Sequence, residues 1–186
     1  MESMTTLPRG RTMTRADLEA LPEDGWRHEL VDGALVMTPA PRLRHQAAVV
    51  RLVVALDAAC PADLRVLVAP FSVVLGPDTV VQPDLLVAPR SAMSDTGLDG
   101  PPLLAIEVLS PSTTHIDLGL KKARYEAAGC PSYWVVDPGS TEHEPSITAW
   151  HLEDSAYVEI ATAGARERLA VTQPYPVQIS PADLVT

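Results

Sequence analysis

Lysine is almost missing from this chain. Its 186 residues contain two, Lys121 and Lys122, side by side. Arginine brings the basic total to 14, against 24 acidic residues, for a formal net charge of −10. That balance argues against a general basic coat of the kind that grips nucleic acid or anionic membrane. It leaves room for a local basic patch, or for a metal ion that neutralises a cluster of acids. Cysteine is scarce too. Cys60 and Cys130 lie far apart with no ligand spacing, which argues against a disulfide framework or a zinc site. Free thiols suit a reducing cytoplasm, where the protein is expected to work. Long apolar runs are absent: the longest region, Ala47 to Cys60, is interrupted by Arg51 and Asp57 and is too short to span a bilayer. Residues 1–22 hold no apolar stretch of signal-peptide type.

What is present fits a globular protein. The hydrophobic fraction is 46%, and the length suits one domain with a sizeable core. A loose leader is expected over residues 1–12 and a single domain over 13–186. Thr14 to Asp17 has the pattern of a capping box opening a short helix. Arg27 to Thr38 reads as a β-hairpin turning at Asp32-Gly33. Arg44 to Ala59 is the longest helical candidate, apolar around most of its circumference and therefore packed on a sheet. Strands follow at Arg65–Ala69, Phe71–Leu75 and Thr79–Ala88, the last bent at Pro83. A loop runs from Pro89 to Pro102. A strand from Leu103 to Leu109, a helix over Ile116–Ala128 and a strand at Ser132–Asp137 make a crossover unit with parallel strands. An antiparallel meander and a terminal turn at Ser180-Pro181 complete the chain.

Two of these strands break their own pattern. Leu103–Leu109 is apolar except for Glu107, and Thr79–Ala88 is interrupted by Asp84. A carboxylate inside a covered strand is costly unless paired, protonated or metal-bound. Two such strands point to one shared site. Oxygen ligands without His or Cys select a hard cation, Mg²⁺ or Mn²⁺, or Ca²⁺. Mg²⁺ held this way can activate a water and stabilise charge on a phosphate in transit. Both lysines open the helix after the Glu107 strand, within plausible reach of it. The plainer alternative for Lys121 is a surface pair with Asp117, worth a few tenths of a kcal/mol. Arg42, Arg44 and His45 cluster at the start of the long helix, where basic groups oppose the macrodipole. Solvated surface and phosphate contact are both open to them.

Pro83-Asp84 followed by Glu107-Val108-Leu109 resembles the signature of the PD-(D/E)XK nucleases. The wider pattern resembles the Uma-two family of restriction-endonuclease-like proteins. Its parts here are Glu29-Leu30-Val31-Asp32-Gly33, His45, Pro83-Asp84, Glu107 through Thr113, then Asp117, Lys121 and Tyr125, then Gly129, Tyr133 and Trp134. They occur in one unbroken order over residues 14–137. The resemblance implies an α/β fold, restriction-endonuclease-like, with a mixed central sheet, flanking helices and extra antiparallel strands. It implies a metal-dependent endonuclease acting on nucleic acid, DNA by preference, with Glu29, Asp84, Glu107 and Lys121 as the catalytic set. Mg²⁺ or Mn²⁺ would be held by Asp84, Glu107, the Val108 carbonyl and Glu29. Independently of the resemblance, an acidic protein must concentrate its basic groups where it meets a polyanion. Arg42, Arg44, His45, Arg51, Lys122 and Arg124 are therefore expected at the nucleic acid, with Asp117 and Tyr125 supporting Lys121. The chain departs from the parent superfamily at Leu109, which stands where that motif has its lysine. Lys121 is then the replacement, and its removal is expected to leave the fold nearly intact. A homodimer remains open; a membrane partner is not expected.

Two other readings compete. One is a nuclease-like fold that only binds nucleic acid or a protein partner, which the acidic charge favours. The other is a glycosidase using Asp84 and Glu107 as acid and base. Aromatics at 4%, with one Phe, and a lysine beside the acids disfavour it.

Overall fold

The computed structural model describes residues 12–22, 24–110 and 114–185. The expected leader, apart from Thr12, and the Ser112-Thr113 part of the hydroxyl-rich turn lie outside the described residues.

The capping box forms as the spacing predicts. Thr14 accepts from the Asp17 amide and the Asp17 carboxylate accepts from the Thr14 amide, opening α1 (Arg15–Glu19). β1 (Arg27–Val31) and β2 (Ala34–Thr38) pair antiparallel about Asp32 and Gly33, with φ of 53° and 73°. Two positive φ values in succession are those of a type I′ hairpin turn, which Asp-Gly tolerates. Gly33 has a second reason to lack a side chain, since a Cβ there would come within 2.6 Å of Thr12.

α2 (Leu43–Ala59) lays Ala48, Leu52 and Leu56, all fully buried, on one face of a sheet. Burying a leucine of this kind contributes about 1.5–3 kcal/mol. Then come β3 (Leu64–Val68), β4 (Ser72–Gly76), β5 (Thr79–Val81) and β6 (Leu85–Pro89). The expected strand over Thr79–Ala88 is thus two strands. Proline cannot donate to a ladder, and at Gln82–Asp84 the chain leaves one sheet and enters another. The region expected as loop contains a short strand, β7 (Gly97–Asp99), pairing parallel with β4. β8 (Leu104–Val108) and β9 (Ser132–Asp137) pair in parallel, as the crossover predicts. β10 (Ser146–Glu153) and β11 (Ala156–Gly164) form the antiparallel meander, and β12 (Leu169–Val171) pairs with β13 (Val177–Ile179).

The order is β2-β1-β5-β4-β7 in a five-stranded sheet and β11-β10-β9-β8-β6-β3 in a six-stranded one. The fold is α/β with mixed sheets. Strand alternation explains its layering. On the six-stranded sheet, Leu85, Val87, Leu104, Ile106 and Val108 face α2. Leu86, Ala88 and Ala105 face the other way, into a second core shared with Val31, Val73 and Val81 of the five-stranded sheet. Two sheets are therefore stacked, with α2 on the outer face of the larger one. Among the described residues no helix is long and apolar enough to cross a membrane.

Candidate active site

Parity along three strands decides where the acids go. Glu107 shares its face with Ala105, Asp84 with Leu86, and Glu29 with Val31. All three carboxylates therefore enter the space between the sheets. Continuing the Leu85–Ile106 register by one residue sets Asp84 opposite Glu107. Glu29 and Glu107 are fully buried and Asp84 is 4% exposed.

Lys121 reaches the same space. Its Nζ lies 2.9 Å from Glu29 Oε1, 3.2 Å from Glu107 Oε1 and 3.6 Å from Asp117 Oδ1. The helix carrying it differs from expectation. Ile116–Lys121 is wound as a π-helix, and Lys122–Ala127, α3, continues it as an α-helix. π turns are rare and often occur at functional sites. Here the wide turn carries Asp117 and Lys121 inward, both buried, while Leu118 and Leu120 stay exposed. Tyr133 secures it by donating its hydroxyl to the Asp117 carbonyl at 2.7 Å. The burial of Lys121 also corrects an expectation. An ammonium 1% exposed against three carboxylates cannot be removed with the fold nearly intact.

Asp84 is held on all sides. Its Oδ1 accepts from Arg27 Nη1 at 2.8 Å, and its Oδ2 from the Val108 amide at 2.8 Å and His45 Nε2 at 3.1 Å. An ionised carboxylate can only accept, so His45 carries its proton on Nε2. Burial alone would raise the Asp84 pKa; His45 and Arg27 outweigh it and hold the carboxyl at about 2. Glu107 goes the other way. Burial first, with Asp117, Asp84 and Glu29 adding repulsion, pushes its pKa well above the usual range against the pull of Lys121. Lys121 stays charged, because the attraction of Glu107, Glu29 and Asp117 exceeds the cost of its burial. Glu29 Oε1 also accepts from the Gln82 amide at 2.7 Å.

Arg27 is a site residue that the sequence reading passed over as part of the hairpin. It sits two positions before Glu29, on the same strand face, and that inward parity was the signal. Its Nε is 3.7 Å from Glu29 Oε2. Burial disfavours its charge, but Glu29, Asp84 and Glu107 raise its pKa further still.

A cleft of about 1830 Å³ opens above the acids. Arg27, Arg42, Arg44, His45, Gln82 and Asp84 are among its lining residues. Glu29, Glu107 and Lys121 are not, and lie behind Arg27 and Asp84. The structure does not bring Arg51, Lys122 and Arg124 to this cleft. Lys122 Nζ sits 4.0 Å over the Trp150 ring, and Arg124 pairs with Asp32 at 2.7 Å on the hairpin turn. Tyr125 is buried, its ring centroid 5.3 Å from that of Tyr133. Val108 meets the site through its amide, which donates to Asp84 Oδ2.

The donor set fits a hard divalent cation in two respects. Oε2 of Glu29 and Oε2 of Glu107 are buried without a hydrogen-bond donor. Four carboxylates, Glu29, Asp84, Glu107 and Asp117, face two permanent cations, Arg27 and Lys121. As arranged, no group of three His, Cys, Asp or Glu among the described residues surrounds a single ion position.

The Uma2 family model, described as "Putative restriction endonuclease", matches residues 15–184. The chain belongs to the Uma2 family. This is the family that the sequence motifs resemble, and the match extends past them to the end of the second sheet and the terminal turn. A crystal structure of "a putative nuclease belonging to DUF820" from Anabaena variabilis ATCC 29413 superposes with a TM-score of 0.70. It is 19% identical, over 93% of this chain and 97% of that one. At that identity the likeness shows the fold. No curated protein matches the chain. Nucleases with this type of fold generally use divalent metal ions, and nucleic acid is the substrate class that the family description suggests.

Proposed function

We propose that this Uma2 protein is a metal-dependent endonuclease that hydrolyses phosphodiester bonds, with DNA as its substrate and Mg²⁺ or Mn²⁺ as its ion. The observation that carries the reading is the meeting of Glu29, Asp84, Glu107 and Lys121 between the two sheets, beneath a cleft edged by Arg42 and Arg44. Asp84, Glu107 and Glu29 are the residues that would hold the ion. When bound, such an ion supplies an activated water and offsets charge on the phosphate. The chain's own groups do the remaining work. Arg42 and Arg44 hold the phosphate backbone by charge. Lys121 keeps an ammonium fixed beside Glu107, where it stabilises negative charge developing in the transition state. His45 and the Val108 amide orient Asp84. Trp26, half exposed on the cleft wall, is the one exposed aromatic among the described residues. Its ring offers a base a stacking surface.

One observation favours the idle-fold reading: both Asp84 oxygens already have protein donors. A single experiment separates the two. Mn²⁺ calorimetry on wild type and Asp84→Ala is paired with cleavage of plasmid and single-stranded DNA. Binding and cleavage in wild type, both lost in Asp84→Ala, support the nuclease. A folded wild type that binds no Mn²⁺ near neutral pH overturns it.

A further inference from the structure

We propose that Arg27 is a built-in counter-ion that closes the acid cluster in the ion-free protein and is displaced from Asp84 when a divalent cation binds. This rests on the nuclease reading above and assigns a residue that the reading does not need.

Four observations carry it. Arg27 Nη1 lies 2.8 Å from Asp84 Oδ1 while its Nε lies 3.7 Å from Glu29 Oε2. A single guanidinium therefore spans two of the three carboxylates assigned to the ion, which is where a shared cation would have to sit. Second, Glu29 and Glu107 are fully buried, whereas the Arg27 side chain is 20% exposed and lines the cleft. Arg27 thus stands between solvent and the acids. Third, two carboxylate oxygens of the site, Oε2 of Glu29 and Oε2 of Glu107, are buried without a hydrogen-bond donor. The guanidinium leaves both open, and a divalent ion would take them as ligands. Fourth, the Arg27 Nε–H is itself buried without a hydrogen-bond acceptor. A planar fork that uses one arm well and another poorly is a compromise fit, easier to displace than a bidentate pair. Lys121 differs, because its contacts to Glu29, Glu107 and Asp117 come from behind the acids and leave the cleft side free. On leaving Asp84 the guanidinium enters the cleft that Arg42 and Arg44 line, carrying its charge to the substrate side.

The test is calorimetric titration of Mn²⁺ into wild type, Arg27→Gln and Arg27→Lys, with melting temperatures in EDTA and in Mn²⁺. Arg27→Gln is expected to bind Mn²⁺ about tenfold or more tightly than wild type, the scale of one hydrogen bond to a charged group. It should melt lower than wild type in EDTA and gain more on adding Mn²⁺. Arg27→Lys, which keeps the charge but loses the fork, should fall between the two and serves if the glutamine variant does not fold. Equal or weaker Mn²⁺ binding by folded variants, with wild type binding normally, overturns the counter-ion role and leaves the nuclease reading standing. No Mn²⁺ binding by any of the three overturns both. Binding by Arg27→Gln alone also overturns the inference, since the wild-type guanidinium would then not be displaced by the ion.

Discussion

Lys121 Nζ lies 3.2 Å from Glu107 Oε1, although the two residues sit on different elements. Leu109, two positions after Glu107 on the same strand face, packs into the apolar core between the sheets and offers no charge. The cation beside Glu107 is therefore delivered from a neighbouring helix. The π winding of Ile116–Lys121 belongs to that delivery, since it brings Asp117 and Lys121 inward together.

Removing that ammonium should damage stability as well as chemistry. Lys121→Met leaves Glu29, Glu107 and Asp117 without their shared cation, and breaking a buried pair costs about 3–5 kcal/mol. Glu107 can relieve part of this by taking up a proton, so the deficit should shrink as pH is lowered. Denaturant unfolding of both proteins from pH 8 to pH 5 measures it. At temperatures where the variant is folded, cleavage should fall by about two to three orders of magnitude, the loss expected for one transition-state donor. Unfolding curves that coincide with wild type across the range would mean the ammonium is not held by these acids.

The neighbouring lysine is an internal control. Lys122 faces Trp150 on the outer side of the helix, and a cation–π contact of that kind is worth about 0.5–1 kcal/mol. Lys122→Ala should lower stability by no more than that and leave Mn²⁺ affinity and cleavage unchanged. A loss of cleavage matching that of Lys121→Met would reverse the assignment of the two lysines.

Two acids of this site could be read from the residues because each violates a local rule. Glu107 interrupts an apolar strand, and Asp84 follows a proline inside another. Glu29, in a hairpin whose Asp-Gly turn fixes its register, is reached only through the family resemblance. Alternation then tells which face each occupies. What could not be read depends on how elements meet. The jump between sheets at Gln82–Asp84 is hidden, because two short buried strands and one long bent strand have the same composition. The pairing of β7 with β4 rests on three residues and has no periodic signal. Arg27 looks like any hairpin arginine until the second sheet brings Asp84 to it. The dispersal of Lys122 and Arg124 has a similar cause. Residues adjacent in sequence to Lys121 point around the helix, and Arg124 finds Asp32 at the hairpin turn.

Asp84 should give the protein an acid limit. Its folded pKa of about 2 lies below the ordinary value of 3.8. A depressed carboxylate stabilises the fold above the unfolded pKa, and that contribution is lost as pH falls through the folded one. The contribution is about 2 kcal/mol. The stability gap between wild type and Asp84→Asn, measured without metal, should be fully open above pH 4 and close between pH 4 and pH 2. A gap that is the same at pH 2 and pH 6 would show that it comes from lost packing and not from the ionised carboxylate.

Substrate contact should be concentrated on one edge of the cleft. Arg42 and Arg44 are exposed there at the start of α2, with Arg44 Nη1 3.5 Å from the Pro138 carbonyl across the opening. Elsewhere a net charge of −10 repels a polyanion. Each phosphate neutralised releases condensed counterions, at about 0.9 per contact on duplex DNA and about 0.7 on a single strand. Replacing both arginines by alanine should therefore flatten the plot of log affinity against log salt by about 1.8 for duplex and about 1.4 for single strand. The stability change should be small, since neither side chain is buried. Arg124→Ala, which breaks only the half-exposed pair with Asp32, should leave the slope as it is in wild type. Catalytically silent conditions, with Ca²⁺ or EDTA in place of Mg²⁺, allow binding to be read alone by fluorescence anisotropy. A slope insensitive to Arg42 and Arg44 but reduced by Arg124→Ala would place the nucleic acid on the hairpin side of the molecule, away from the acid cluster.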